Sequence, residues 1–410
     1  MKIAVLYTGG TIGCLPDLTG ALSPLPYDSF KAAFTTYITP IIQARWPHTW
    51  VDVIGFKTMT GPLTSLDSTN LQPHDWCLIA TQLLDIYLNY DGFIVLHGTD
   101  TMAWTASALS FLFTALDCNG NPIAVLDKPI IVTGSQLPLF EGVNETVNGF
   151  NYNTDAYQSI FGSVSSIFSG ITESCLFFNR KLLRGNRSIK TNASLFDAFS
   201  SPNYPPLAEI GIDFSLNTHP YPLLFPPEIG LSHSNGIPLT HLRNQLTYIS
   251  NNLNNALILP FSAFPAYYNT TATLNNNYLA EVLNKILEIP QLKGLILESY
   301  GAGNFPSGNP DKASDGAIYQ ALAQANASGI TIINCTQVLA GTVNANAYAA
   351  GAWMNEVGSV DSYDMISVAA LCKLIYLNTL RHYNDNNWNQ TLIKTLMQTN
   401  MVGEIMPLPV

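Results

Sequence analysis

Short apolar runs alternate with longer amphipathic stretches through the first half of this chain, and that alternation limits its possible folds more than any other feature. The runs are Lys2–Tyr7, Trp50–Lys57, Gly92–His97, Pro129–Gly134 and Ser174–Asn179. Helical periodicity fills the gaps at 27–45, 72–89, 101–116 and 151–168. A strand covered on both faces reads as an unbroken apolar run, and a helix is the usual return between parallel neighbours. The pattern therefore predicts an α/β fold with a larger N-terminal domain on a mainly parallel sheet. Ala103–Leu116, the most apolar long segment, carries Thr105, Ser107, Ser110 and Thr114; it is too short to span a bilayer and predicts a buried helix.

Residues 201–238 hold eight of the 25 prolines and keep no sustained period, which predicts extended chain rather than packed helix. Three further apolar runs, Ala256–Phe261, Lys293–Ser299 and Gly329–Cys335, alternate with helical stretches beyond it. The expected division is an N-terminal domain over 1–200, a linker over 201–245 and a smaller C-terminal α/β domain over 246–410. A chain of 410 residues has the length for two domains.

The net charge of −11, with no run of Lys or Arg, argues against nucleic acid and against an anionic membrane surface. Six dispersed cysteines without a C-x-x-C pair argue against a disulfide framework and a structural metal, so reduced thiols are expected. Seven scattered histidines form no H-E-x-x-H pattern, and no metal is expected. Residues 1–8 run straight into a glycine turn, without the pattern of a secretory signal, so a cytoplasmic address is expected. With 47% hydrophobic and only 11% charged residues, the chain is compatible with burying some of its surface in an oligomer.

In open parallel sheets ligands bind beyond the carboxyl ends of the strands. After the first run comes Thr8-Gly9-Gly10-Thr11-Ile12-Gly13, where paired glycines permit a tight turn and close approach to a ligand. The spacing is not G-x-G-x-x-G, and no acidic residue closes the second run, which weighs against a dinucleotide. After the third run comes His97-Gly98-Thr99-Asp100-Thr101-Met102, and Asp67-Ser68-Thr69-Asn70 precedes the helix expected near Gln72. Helix capping is the ordinary duty of Asp and Thr at such places. Capping does not require three loops that all offer hydroxyls, an arrangement suited to a small zwitterion. A basic cluster, Arg184 to Asn192, contains Lys190, which could accept a proton if burial lowered its pKa; as a solvated loop it would need no explanation.

These motifs resemble the bacterial-type L-asparaginase family and, within it, the cytoplasmic type I branch. The similarity rests on Thr8–Gly13, on the stretch from His97 to Phe111, on Thr133-Gly134-Ser135-Gln136-Leu137-Pro138-Leu139, on 184–192 followed by 196–203, and on Ser299-Tyr300-Gly301-Ala302-Gly303-Asn304. The resemblance implies hydrolysis of L-asparagine to L-aspartate and ammonia without a cofactor, and a homodimer or homotetramer. It implies Thr11 as nucleophile, Ser68 and Thr69 on the substrate carboxylate, Asp100 on its ammonium, and Thr99 acting with Lys190 and Asp100. Asn304 and Tyr348 match positions that reach across the family's subunit interface.

Two departures stand out. Ala21 occupies the place of a lid tyrosine found in many relatives, leaving Tyr27 nearby or Tyr348 of a neighbouring copy as substitutes. The stretch from Phe140 to Tyr152 is longer than its counterpart in bacterial relatives. The base that activates Thr11 is either the Thr99–Lys190–Asp100 group or a tyrosine phenol. Relaxed glutaminase-asparaginase activity and a catalytically silent asparagine-binding protein remain the alternatives. A tRNA-dependent amidotransferase subunit fits poorly, because it carries an extra domain before the glycine turn.

Overall fold

The computed structural model describes residues 1–59, 61–217, 223, 225–233, 236–266, 278–347 and 349–406. The chain forms two compact units: Met1–Asp117 with Pro122–Ser250, and Cys118–Asn121 with Asn251–Val410.

The first unit is built on an eight-stranded sheet. Its strands are β1 (Lys2–Tyr7), β2 (Trp50–Gly55), β3 (Gly92–Leu96), β4 (Ile130–Thr133), β5 (Ser174–Phe178), β6 (Lys181–Arg184), β7 (Ala208–Ile210) and β8 (Phe214–Leu216). Their spatial order is β8-β7-β6-β5-β4-β3-β1-β2. The five strands from β2 to β5 in this order are parallel, and β6, β7 and β8 continue the sheet antiparallel. Ile3, Val5 and Tyr7 of β1 and Ile94 and Leu96 of β3 join one core with Phe30, Phe34, Ile160 and Val164. The alternate residues Ala4, Leu6, Phe93 and Val95 are buried as well, so both faces of the central strands are covered and the runs are apolar throughout.

The helices of this unit are α1 (Tyr27–Tyr37), α2 (Thr39–Arg45), α3 (Pro73–Asp85), α4 (Met102–Leu112), α5 (Ala156–Ile167) and α6 (Ile237–Asn252), whose last two residues fall beyond the unit's end at Ser250. The single helix expected over 27–45 is broken at Ile38, where the chain restarts with Pro40 in the first turn of α2. Proline lacks the donor an uninterrupted helix would need there and suits a helix start.

The segment expected to be a linker departs from that expectation. Residues 208–216 form β7 and β8 at the sheet edge, where Leu207 N donates to Leu182 O at 2.7 Å. Proline is tolerated beside edge strands, so proline density did not signal separation from the sheet.

The second unit carries a four-stranded parallel sheet of β9 (Leu257–Ser262), β10 (Leu292–Ser299), β11 (Thr331–Thr336) and β12 (Val360–Asp361), in sequential order. α7 (Tyr278–Leu287) and α8 (Ala317–Ala327) share one core with β10 and β11, through Leu279, Leu283, Leu295, Leu297, Ile318 and Ile332. A salt bridge between Lys373 and Glu404, 2.5 Å and fully buried, ties α10 (Ser367–Thr379), which follows α9 (Ala349–Glu356), to the segment after α11 (Gln390–Gln398). Lys373 Nζ also donates to Thr399 O at 2.6 Å, and Glu404 accepts from the Met401 and Val402 amides.

None of the six cysteines forms a disulfide, and Cys118 alone is exposed. No helix among the described residues is long and apolar enough to cross a membrane.

Candidate active site

The first unit changes winding direction between β1 and β3: β2 lies on one side of β1, while β3, β4 and β5 extend on the other. Two loops leaving the carboxyl ends of adjacent strands diverge at such a point and open a crevice. The loop after β1 carries Thr11 and the loop after β3 carries Thr99 and Asp100.

Backbone hydrogen bonds draw these loops together with the one after β2. Thr8 N donates to Leu96 O at 3.1 Å, Leu66 N to Thr8 O at 2.7 Å, and Gly10 N to Leu66 O at 3.1 Å. A Cβ on Gly10 would lie 2.4 Å from Gly98 Cα, and one on Gly98 would lie 2.5 Å from Ser68 Oγ. Gly10 also adopts a φ of +82°. The residues immediately before Thr11 and Thr99 are thus in direct backbone contact, which only glycine permits. Thr11 is half-buried and opens a short 3-10 turn, Thr11–Gly13.

Lys190 comes from elsewhere in the chain. It sits in Ile189–Lys190, paired antiparallel with Phe199–Ser200. Its Nζ donates to Thr99 Oγ1 at 2.9 Å and to Asp100 Oδ1 at 2.8 Å. The cluster just before it is no solvated loop: Arg184, Asn186, Arg187 and Ser188 are buried, and Arg184 pairs with Glu173 at 2.5 Å.

The capping explanation does not account for these residues. α4 has Thr101 at its N-cap, without a side-chain cap, while Asp100 is held by Lys190. α3 is capped by Gln72 and Asp75 in a reciprocal box. Asp67 accepts from Thr69 N at 3.0 Å and caps only the short turn Ser68–Asn70. Ser68 is 1% exposed and its hydroxyl has no hydrogen-bond partner, whereas its carbonyl accepts from Thr101 Oγ1 at 2.7 Å. A buried hydroxyl without a partner costs about 1–3 kcal/mol, which a bound acceptor would relieve.

His97 lies beneath the loop, fully buried. Its Nδ1 contacts Gly98 O at 2.7 Å and its Nε2 contacts Thr105 Oγ1 at 2.8 Å. Burial pushes its pKa down to about 4.

A family model described as "Asparaginase, N-terminal" matches residues 2–222, more than half the chain. The chain belongs to the asparaginase family. A second model, "Glutaminase/Asparaginase C-terminal domain", matches residues 273–390. L-asparaginase 1 of Escherichia coli K12 is 35% identical, covering 99% of this chain and 98% of its own. A mouse protein named 60 kDa lysophospholipase is 31% identical over 92% of this chain and 58% of its own. The crystal structure of L-asparaginase I from Vibrio cholerae superposes with a TM-score of 0.70 at 30% identity, covering 99% of each chain.

Three expected site residues of this asparaginase-family chain, Thr99, Asp100 and Lys190, are joined by direct hydrogen bonds; Ser68 meets their loop at Thr101 and Gly98, and Thr11 follows Gly10, which packs on Gly98. Thr69 is exposed one residue beyond Ser68. Asn304 lies in the second unit, where its backbone pairs with Tyr300. Tyr348 lies outside the described residues. Tyr27 is half-buried and donates its phenol to Val53 O at 3.0 Å, which commits that hydroxyl to β2. Ala21 closes a hairpin of Cys14–Pro16 with Leu22–Pro24, whose turn is held by Asp17 Oδ1 accepting from the Thr19 and Ala21 amides.

One contributor received no role from the sequence. Gln136 Oε1 accepts from Thr99 Oγ1 at 3.5 Å, while Gln136 Nε2 donates to Leu195 O at 3.1 Å. Asp155 holds the Gln136 backbone, whose N–H donates to its two carboxylate oxygens at 2.9 and 3.1 Å. The available signal was position, since Gln136 closely follows a strand at the carboxyl edge of the sheet.

Proposed function

We propose that this chain hydrolyses the side-chain amide of L-asparagine to L-aspartate and ammonia through an acyl-threonine on Thr11. The observation that carries this reading is Lys190 Nζ held against both Thr99 Oγ1 and Asp100 Oδ1 at the switch point, beside the glycine turn that presents Thr11. A hydroxyl, an amine and a carboxylate in one hydrogen-bonded group can relay a proton, which an aliphatic hydroxyl nucleophile requires.

In the first step Thr11 Oγ forms a bond to the amide carbon, its proton passes to the amide nitrogen, and the C–N bond breaks to release ammonia. In the second, water attacks the ester, gives up a proton to the Thr99–Lys190–Asp100 group, and the C–O bond to Thr11 breaks. Thr11 recovers a proton and aspartate leaves. N–H groups of the glycine turn and around Thr99 are the oxyanion donors in this scheme. Ser68 and Thr69 take the substrate carboxylate, and the unpartnered Ser68 hydroxyl supports that assignment. Asp100 takes the ammonium; its side chain is 56% exposed, leaving it accessible beside Lys190. We further propose a cytoplasmic homodimer or homotetramer in which Asn304 and Tyr348 serve the site of a neighbouring copy.

Glutamine is the second substrate to weigh, because the matching C-terminal family model covers glutaminases too. One methylene is worth only about 1–3 kcal/mol of discrimination. The test is ammonia release from asparagine and glutamine side by side, for the natural chain and Thr11→Ala. The expected result is faster release from asparagine and none from the folded variant. Comparable turnover by Thr11→Ala overturns the nucleophile, and no release from either amide overturns the activity.

A further inference from the structure

The stretch from Phe140 to Tyr152 contains an antiparallel hairpin, Phe140–Val143 with Thr146–Phe150, in which Phe140 faces Phe150 and Glu141 faces Gly149. Its outer residues Glu141, Val143, Asn144, Glu145, Thr146 and Asn148 are exposed, while Val147 packs partly buried against the core of the first unit. Its base is anchored more firmly. Phe140 is 2% exposed and meets Phe30, Tyr37 and Phe150 at ring-centroid distances of 6.0, 6.0 and 6.5 Å. Phe30 in turn stacks on Tyr7 of β1 at 3.9 Å.

Two backbone bonds run from this region to the segment that carries Thr11. Leu139 N, at the foot of the hairpin, donates to Ile12 O at 3.1 Å, and Asn144 N, at its tip, donates to Pro16 O at 2.8 Å. Between them Leu25 N donates to Gly13 O at 2.8 Å, and a Cβ on Gly142 would lie 3.0 Å from Leu15 Cδ1. Besides its pairing with Leu22–Pro24, the chain from Ile12 to Pro16 is therefore held at the carbonyls of Ile12, Gly13 and Pro16, two of them by Leu139 and Asn144.

We propose that the Phe140–Phe150 hairpin is a positioning element for Thr11, holding Ile12–Pro16 and the adjoining turn in the closed arrangement before substrate arrives. The inference rests on Thr11 being the nucleophile. A hairpin strand fixed along only one edge opens by local fraying, whereas a second line of contacts on its other edge opposes that opening. Displacement of a reacting atom by about 1 Å can cost about a hundredfold in rate, so a small restraint at this distance has kinetic weight. The substrate's charged ends fall to Ser68, Thr69 and Asp100, none of which hydrogen-bonds to the hairpin among the described residues. Loosening it should therefore lower kcat and leave KM nearly unchanged.

The experiment trims the tip by replacing residues 142–148 with Asn-Gly, a two-residue turn that suits the retained Glu141–Gly149 pair. The aromatic base stays in place. Hydrogen exchange by mass spectrometry on the intact oligomer follows the peptide covering 14–25, alongside kinetics with asparagine. Exchange in that peptide should quicken about tenfold or more relative to the rest of the chain, with kcat falling about tenfold and KM changing less than about threefold. The full-length hairpin carrying Glu141→Ser and Glu145→Ser should match the natural chain, because the bonds to Ile12 and Pro16 are made by backbone. Unchanged exchange overturns the proposal, as does faster exchange with kcat intact. If the natural chain fails on asparagine while trimming still quickens exchange, the activity falls and the restraint stands.

Discussion

Replacing Lys190 with Met removes the ammonium while keeping most of the side chain's length. The variant can no longer donate to Thr99 Oγ1, 2.9 Å away, or to Asp100 Oδ1, 2.8 Å away. General acid–base assistance is worth about 10²–10⁴ in rate, which is about 3–5 kcal/mol of barrier. The effect on stability should be far smaller, since the pair is partly open to water, with side-chain exposures of 21% and 56%. Such pairs contribute about 0–1 kcal/mol, so the melting midpoint should move by no more than about 4 °C. The assay is steady-state ammonia release beside a thermal melt, for Lys190→Met, Thr99→Ala and the double variant. If the residues act as one group, the double variant should lose much less than the product of the single losses. A kcat within about threefold of the natural value, or fully multiplicative losses, would refute the reasoning.

Gly10→Ala should cost about 2 kcal/mol or more and nearly abolish turnover, because its Cβ would strike the Gly98 backbone at a φ unsuited to alanine; urea titration and kinetics with asparagine check it. His97 takes up a proton more readily unfolded than folded, its pKa being depressed from 6.5 to about 4. Stability should therefore fall by about 3 kcal/mol as pH drops from about 6.5 to about 4, and His97→Gln should flatten that part of a urea-unfolding series. Glu404→Ala should cost about 3–5 kcal/mol by stranding buried Lys373, while the Lys373→Met, Glu404→Leu pair should recover much of it in the same titration.

The strands were legible because their runs are apolar on both faces, and Lys2–Tyr7 coincides with its predicted bounds. Their neighbours were not, since sequence order along the chain does not say that β1 lies between β2 and β3. The crevice depends on that order. β6 follows β5 through a two-residue turn, Asn179 and Arg180 with φ of 42° and 65°, and the strand before it was visible while the return was not. Thr99 and Asp100 were singled out by position, but only the helix caps separate their contact with Lys190 from ordinary end-of-helix duty. The stretch at 140–152 was noted for its length alone; the backbone bonds to Ile12 and Pro16 are independent of side-chain identity and leave no mark in the sequence.

The second unit is not one continuous stretch of chain: Cys118–Asn121 belongs with Asn251–Val410. Trp388 Nε1 donates to Cys118 O at 2.7 Å, and a Cβ on Gly120 would lie 2.6 Å from Leu396 Cδ2, so those four residues are built into it. During synthesis they leave the ribosome well before the rest of their unit exists. They must wait, tethered at both ends to the first unit, until the final helices are made. A nick after Ser250 would therefore not yield two self-sufficient pieces, because the carboxyl-terminal fragment would lack the partner of Trp388. Reassembly of the two fragments, rather than folding of either alone, is what such a cut would test.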